Sequence, residues 1–331
     1  MNLYEQQAAN RRKTWLIMSA FVLFLFFIGA GFDLFFVGRA GASMPIGSLL
    51  ALTVGSVSSI ASYFAGDRAV LLATGATPVD QLAAAATADE RLKLQQLTNV
   101  VEEMAIAAGI PVPRVYVVPD ADPNAFATGR GPGRSSIAVT RGLLDALDRE
   151  ELQGVVAHEM SHIRNLDVRL MTIVAALVGT AALMSEWARR GMIYGGGSSR
   201  SSRDSRDRDS GGGVLTLIFF VIWSIAIVLA PMVVQALAMM VSRKREYLAD
   251  ASGAELTRNP LGLARALEKI ESAVAPTQSI NRGSAHLCIT DPLGRQVNLK
   301  EGFWSDLFAS HPPMPARIAA LREMAFQGRT A

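Results

Sequence analysis

The sequence predicts a predominantly α-helical membrane protein with a soluble α+β part that carries a small β-sheet. Three observations lead there. Half of the 331 residues are hydrophobic and 18% are charged, well under the quarter typical of soluble chains. Four apolar runs, at about 15–37, 46–66, 170–187 and 214–241, offer up to four transmembrane helices. The stretches between and after them mix helical composition with short β-like segments.

The first element is an N-terminal membrane anchor over 1–66. Trp15 to Phe32 is uncharged, and with Asp33 tolerated the run reaches Val37. Arg11, Arg12 and Lys13 flank it. Ala40-Gly41-Ala42 resembles a signal-peptide cleavage site, but the run is longer than an ordinary signal h-region, so an uncleaved anchor is expected. Asp33, near the end of a span, is expected to reach water. The second run, 46–66, is rich in Ser and Gly, which suits close packing on the first helix.

Residues 67–169 read as the first part of a soluble domain. Composition over 78–108 predicts two helices. PRVYVVPD (113–120) and SSIAVT (135–140) read as strands, with a Gly- and Pro-rich turn between them. Asp148 and Glu151 form a capping-box pattern that starts a helix. Residues 170–242 read as a membrane hairpin. Its loop, 188–213, is a Gly/Ser/Arg/Asp low-complexity segment expected to be disordered, and Pro231 is a kink position in the longer arm. Residues 243–331 complete the soluble domain, with amphipathic helices expected over 261–275 and 315–326.

The net charge of +3 is mild and gathers beside apolar runs, so no nucleic-acid partner is expected; the bilayer is. The only cysteine, Cys288, excludes an internal disulfide and a cysteine metal site. A metal must therefore be held by histidine and carboxylate. The four histidines are His158, His162, His286 and His311.

Two of them stand in HEMSH (158–162), directly behind the predicted cap. At i and i+4 on a helix both imidazoles share one face and reach one ion. Zn²⁺, one per chain, accepts such ligands, with a third protein ligand needed for a catalytic site. Glu159 is placed to take a proton from a metal-activated water and pass it to a leaving amine. Downstream, Glu246 and Asp250 lie at i and i+4 in EYLAD. One can ligate the metal while the other accepts a hydrogen bond from a ligating imidazole.

HEMSH and EYLAD, with PNAFATG (123–129) and SHPPMPARI (310–318), together resemble the membrane-anchored gluzincin metalloproteases of the HtpX type, over most of the chain. The resemblance implies a zincin-like domain and peptide-bond hydrolysis. It assigns His158, His162 and Glu246 as zinc ligands, Glu159 as general base and Asp250 as the acid behind a ligand. It puts Asn124 beside a substrate-binding edge strand and His311 at the oxyanion. Misfolded or damaged membrane proteins, or their peptides, are the implied substrates, and a bacterial cytoplasmic membrane is the implied setting. The Arg-rich loop departs from a compact connection. Prenyl-protein proteases of the same broad group carry more membrane helices, so their CAAX substrates are not expected. A membrane scaffold with a structural zinc is the alternative; a transporter has only Asp33 to support it.

Basic flanks place span ends in the cytoplasm. Residues 11–13 put the N-terminus there, two spans return the chain there, and Arg243, Lys244 and Arg245 put Glu246 there. The six arginines of 188–213 oppose a simple hairpin, although run length favours one. His286 reads as a spare surface residue, Cys288 as a bystander, and Arg317 as a salt-bridge residue whose partner is not visible in sequence. Oligomeric state is not predicted.

Overall fold

The computed structural model describes residues 3–34, 44–180, 218, 221, 243–273, 277–280, 287–290 and 312–327. His286, His311, the loop 188–213 and nearly all of the fourth apolar run lie outside them. The chain forms two compact units. One comprises Met1–Thr14, Ser62–Ala176 and Ala238–Ala331; the other comprises Trp15–Ala61 and Leu177–Leu237. The first begins with the 14 residues ahead of the apolar run, so these group with the soluble part rather than with the anchor. It also continues to Ala176, several residues into the third run.

The second unit is built on most of helices α1 (Leu3–Phe32) and α2 (Ile46–Ala73). Both contain stretches long and apolar enough to cross a membrane, of 26 and 28 residues, or about 40 Å each at the helical rise. They touch through small residues. A Cβ added to Gly29 would lie 2.3 Å from the Gly47 carbonyl oxygen, so only hydrogen fits. Asp33 is engaged by α2: it accepts from the backbone N–H groups of Gly47 and Ser48, each at 2.7 Å, and from Ser48 Oγ at 2.6 Å. A carboxylate at a helix N-terminus satisfies orphan donors and faces the positive end of the dipole.

The first unit holds a four-stranded sheet of β1 (Thr77–Pro78), β2 (Arg114–Val118), β3 (Ala125–Gly131) and β4 (Arg134–Thr140), in the order β1-β2-β4-β3. β2 and β4 run parallel; the other pairs are antiparallel. The predicted strands are β2 and β4. β3 occupies the segment read as a turn, where Gly129 and Gly131 hold φ of 142° and 146°, open to glycine and strained for other residues. On its outer side Phe126 bridges Cys288, and the Ile289 N–H donates to the Ala125 carbonyl at 2.9 Å.

The predicted helix pair over 78–108 is α3 (Val79–Ala85) and α4 (Ala88–Ala108), the latter opened by a Thr87/Glu90 capping box and closed by left-handed Gly109. After α5 (Arg141–Ala146), the Asp148/Glu151 box opens α6 (Arg149–Arg164), which is buried almost throughout. A turn at Asn165–Leu166 leads into α7 (167–180). Then follow α8 (Arg243–Thr257), α9 (Pro260–Ser272) and α10 (Met314–Gln327). α6 is central: α4, α8, α9 and β3 all pack on it. Its Gly154 lets the backbone of α9 approach, since a Cβ there would sit 2.8 Å from Leu263 Cα.

Gly29→Val is expected to force α1 and α2 apart at a cost of about 1–3 kcal/mol, read as a lower thermal unfolding midpoint of the full-length protein in detergent. An unchanged midpoint would mean the two helices do not pair through Gly29.

Candidate metal centre

The centre forms where α6 and α8 lie closest. A Cβ added to Gly253 on α8 would be 3.0 Å from His158 N; without one, the α8 backbone settles against α6, and its carboxylates reach the histidines. The Nε2 atoms of His158 and His162 lie 3.2 Å apart. Glu246 places Oε2 3.8 Å from the first and Oε1 3.6 Å from the second. All three residues are buried, and their donor atoms fall within 4.8 Å of one another. Two ligands of a tetrahedral metal at ordinary bond lengths are about 3.3 Å apart. Spacing and donor chemistry therefore both fit a metal ion.

Each imidazole has a carboxylate behind it. His158 Nδ1 lies 2.9 Å from Asp250 Oδ1, though the ring N–H misses an aligned hydrogen bond. Asp250 is in turn clamped by Arg317, whose Nε and Nη2 donate to its two oxygens at 2.8 and 2.7 Å. Arg317 has no solvent exposure, donates through Nη1 to the Ile289 carbonyl at 2.8 Å and lies 3.9 Å from Glu246. The partner of Arg317 is thus Asp250. No sequence signal marked it, because the guanidinium sits on the buried face of an otherwise ordinary amphipathic helix.

His162 Nδ1 is 3.3 Å from Asp167 Oδ2. The other Asp167 oxygen accepts from Asn10 Nδ2 at 2.7 Å and from Arg245 Nη1 at 3.2 Å. Asn10 also holds the Asn165 carbonyl, at 3.0 Å, and Gln7 holds that of Arg164, at 2.9 Å. Leu166 takes φ 61° in this turn, a left-handed conformation costly for leucine, and the turn carries Asp167 beneath the ring. Sequence reading missed Asp167, Asn10 and Arg245. The available signal was an acid five residues after the second histidine, in HIRNLD.

Glu159 is buried, near the Ala127 N–H of β3, which acts to lower its pKa. Burial chiefly, with Glu246 adding to it, pushes its carboxyl up to about 7, against the opposing pull of His162. Burial also holds His158 below its ordinary value. At His162 burial acts downward as well, but the Asp167 hydrogen bond and the charges of Glu246, Asp167 and Glu159 outweigh it, and the imidazole rises to about 9. Burial would raise Asp250, yet Arg317 and His158 hold it at about 2. Arg317 stays charged, burial being outweighed by Asp250 and Glu246.

Asn124 is fully buried. Its Nδ2 donates to the Thr290 carbonyl at 3.0 Å, and its backbone carbonyl accepts from Thr140 N–H at 2.9 Å. It fastens residues 287–290 beside β3 and faces no open surface.

Arg317→Leu strands a buried carboxylate and is expected to cost about 3–5 kcal/mol. Denaturant unfolding should show that adding Asp250→Leu recovers part of the loss; simple additivity would contradict the pairing. Without metal, the raised pKa of His162 stabilises the fold fully below its unfolded value near 6.5 and loses that effect as pH rises through about 9. Metal binding needs the neutral ring, so Zn²⁺ affinity in chelator competition should climb across this window. A flat profile would remove His162 from the site.

The profile of peptidase family M48 matches residues 91–325. The chain is 41% identical to a "Protease HtpX homolog" of Streptococcus gordonii over 323 residues, 97% of this chain and 100% of that protein. It is 43% identical to a "Protease HtpX homolog" of Thermoanaerobacter pseudethanolicus over 322 residues, 97% and 98% of the two chains. A looser likeness, with 18% identity and a TM-score of 0.46, is to the crystal structure of S. mikatae Ste24p, covering 96% of this chain and 67% of that one. The chain belongs to peptidase family M48 and is a membrane-associated metalloprotease.

Proposed function

We propose that the chain is a zinc-dependent endopeptidase of a bacterial cytoplasmic membrane that cleaves misfolded or damaged membrane proteins, with its site facing the cytoplasm. The observation that carries the reaction is the convergence of His158, His162 and Glu246 with Glu159 held against β3. Both Nε2 atoms and the Glu246 carboxylate would hold Zn²⁺, which when bound supplies the Lewis acidity that activates water and polarises the scissile carbonyl.

The remaining work falls to the chain's own groups. Glu159 takes the water's proton and delivers it to the departing amine. Its burial directly beside the ligand His158 places it to do both. Asp250, fixed by Arg317, and Asp167, fixed by Asn10 and Arg245, hold the two imidazoles in orientation. Substrate backbone lies along the outer edge of β3 near Ala127, an extended strand added to an edge. Residues 287–290 already pair at Ala125 and Phe126. They bound that groove on one side, and Asn124 contributes to substrate binding by fixing them. His311 is assigned to the tetrahedral oxyanion.

Support for the orientation comes from Gln7 and Asn10, whose contacts with Arg164, Asn165 and Asp167 favour one side of the membrane for the N-terminus and the metal helix. The basic triplet 11–13 assigns that side to the cytoplasm.

Glu159→Gln is expected to keep one zinc per chain and to lose about 10²–10⁴-fold in peptide hydrolysis by the purified protein. Proteolysis at the wild-type rate would assign the base elsewhere. In cells, the same variant should accumulate membrane proteins that wild type removes; an unchanged membrane proteome would reject the substrate class. Cysteines introduced at the N-terminus should be shielded from an impermeant reagent applied outside the cell, and labelling there would reverse the topology.

A further inference from the structure

Around the charged pair Asp67-Arg68 of α2 a pocket of about 530 Å³ opens, lined chiefly by Phe64, Asp67, Arg68, Arg114, Arg130 and Arg134. Four guanidinium groups from three separate segments, α2, β2 and the β3–β4 hairpin, meet a single carboxylate. That carboxylate, Asp67, is engaged by Arg114 at 3.5 Å. Arg68 and Arg134 are exposed, and among the described residues no ion pair places a carboxylate on Arg68, Arg130 or Arg134.

Exposed arginines on a convex face would simply be solvated. Here they border a concavity, and aromatic rings support them. The Arg130 guanidinium stands 5.0 Å from the Phe64 ring centre and 5.9 Å from that of Tyr63. Arg169 lies 6.0 Å from Tyr63 and donates through Nε to the Arg130 carbonyl at 2.7 Å. Stacking of this kind fixes a guanidinium's plane and leaves its N–H edge for an oxyanion. Phe64 is 60% exposed, two residues before the uncharged run 46–66 ends. Aromatic side chains beside such an end concentrate at the level of lipid headgroups.

We propose that this pocket binds the phosphate of an anionic phospholipid. The diester oxygens would be received by Arg68, Arg130 and Arg134, with the exposed Phe64 ring beside them. Basic pockets beside membrane helices take anionic headgroups in this way. The site has a consequence for the reaction. Arg130 lies on β3, three residues from Ala127, whose N–H contacts Glu159, and Arg169 and Thr172 of α7 tie the same strand down: Thr172 Oγ accepts from Gly129 N–H at 3.0 Å. A bound lipid therefore anchors the strand that borders the catalytic carboxylate.

The test is native mass spectrometry of the full-length protein in detergent, titrated with phosphatidylglycerol or phosphatidylcholine. Wild type should retain the anionic lipid preferentially. Arg68→Gln and Arg134→Gln should each lower that retention about fivefold, from the usual contribution of one basic side chain near an anionic surface. Both side chains are exposed, and an unchanged melting temperature certifies the fold. A further arm adds inorganic phosphate: millimolar phosphate that fails to strip the lipid fits a headgroup site with acyl contacts. Equal retention of both lipids, retention indifferent to the substitutions, or complete displacement by free phosphate overturns the proposal. The readout is binding, so it stands or falls apart from the protease reading.

Discussion

Arg317 carries a full positive charge into a position with no solvent exposure, and the bidentate grip of Asp250 makes that tolerable. A buried ion pair contributes little net stability compared with an apolar pair of the same shape. Its value here is geometric. The pair links α10 to α8, presents an ionised carboxylate to His158 and, through the Ile289 carbonyl, holds residues 287–290 beside β3. Three parts of the chain far apart in sequence are tied to one guanidinium. If it were lost, the metal ligand from α8 and the segment 287–290 beside β3 would loosen together.

The second imidazole is held by a different device of the same kind. Asp167 faces His162 and is itself held by Asn10 and Arg245. One brace thus comes from the residues ahead of the first apolar run. Asn10 and Arg245 reach Asp167 from parts of the chain far apart in sequence.

Much of this was legible in the sequence where chemistry depends on local spacing. HEMSH, the Asp148/Glu151 cap and the acids at 246 and 250 are short-range patterns on helices, and helical periodicity alone places them on one face. The edge strand was not legible from propensity. Ala125–Gly131 is rich in small residues and glycine, which disfavour strands in isolation, and only its pairing with β4 and with residues 287–290 defines it. Asp33 was expected to seek water; instead it finds three donors on the next helix, a contact that depends on the Gly29–Gly47 approach. The partner of Arg317 and the role of Asp167 became visible only in three dimensions, because a buried charge and its partner leave no periodic mark. Asn124 stands directly ahead of the edge strand, buried, with its side chain on the Thr290 carbonyl. His311 lies outside the described residues, as do the Arg-rich loop and most of the hairpin beyond Thr180.

On the proposed reading, two imidazoles and one carboxylate hold the zinc ion. X-ray absorption at the zinc edge, on full-length protein loaded with one equivalent in detergent, should then show scattering from two imidazole rings, the remaining neighbours being oxygen. A third imidazole would bring in His286 or His311, and a sulfur neighbour would bring in Cys288; either result would contradict the assignment of Glu246 as the third ligand.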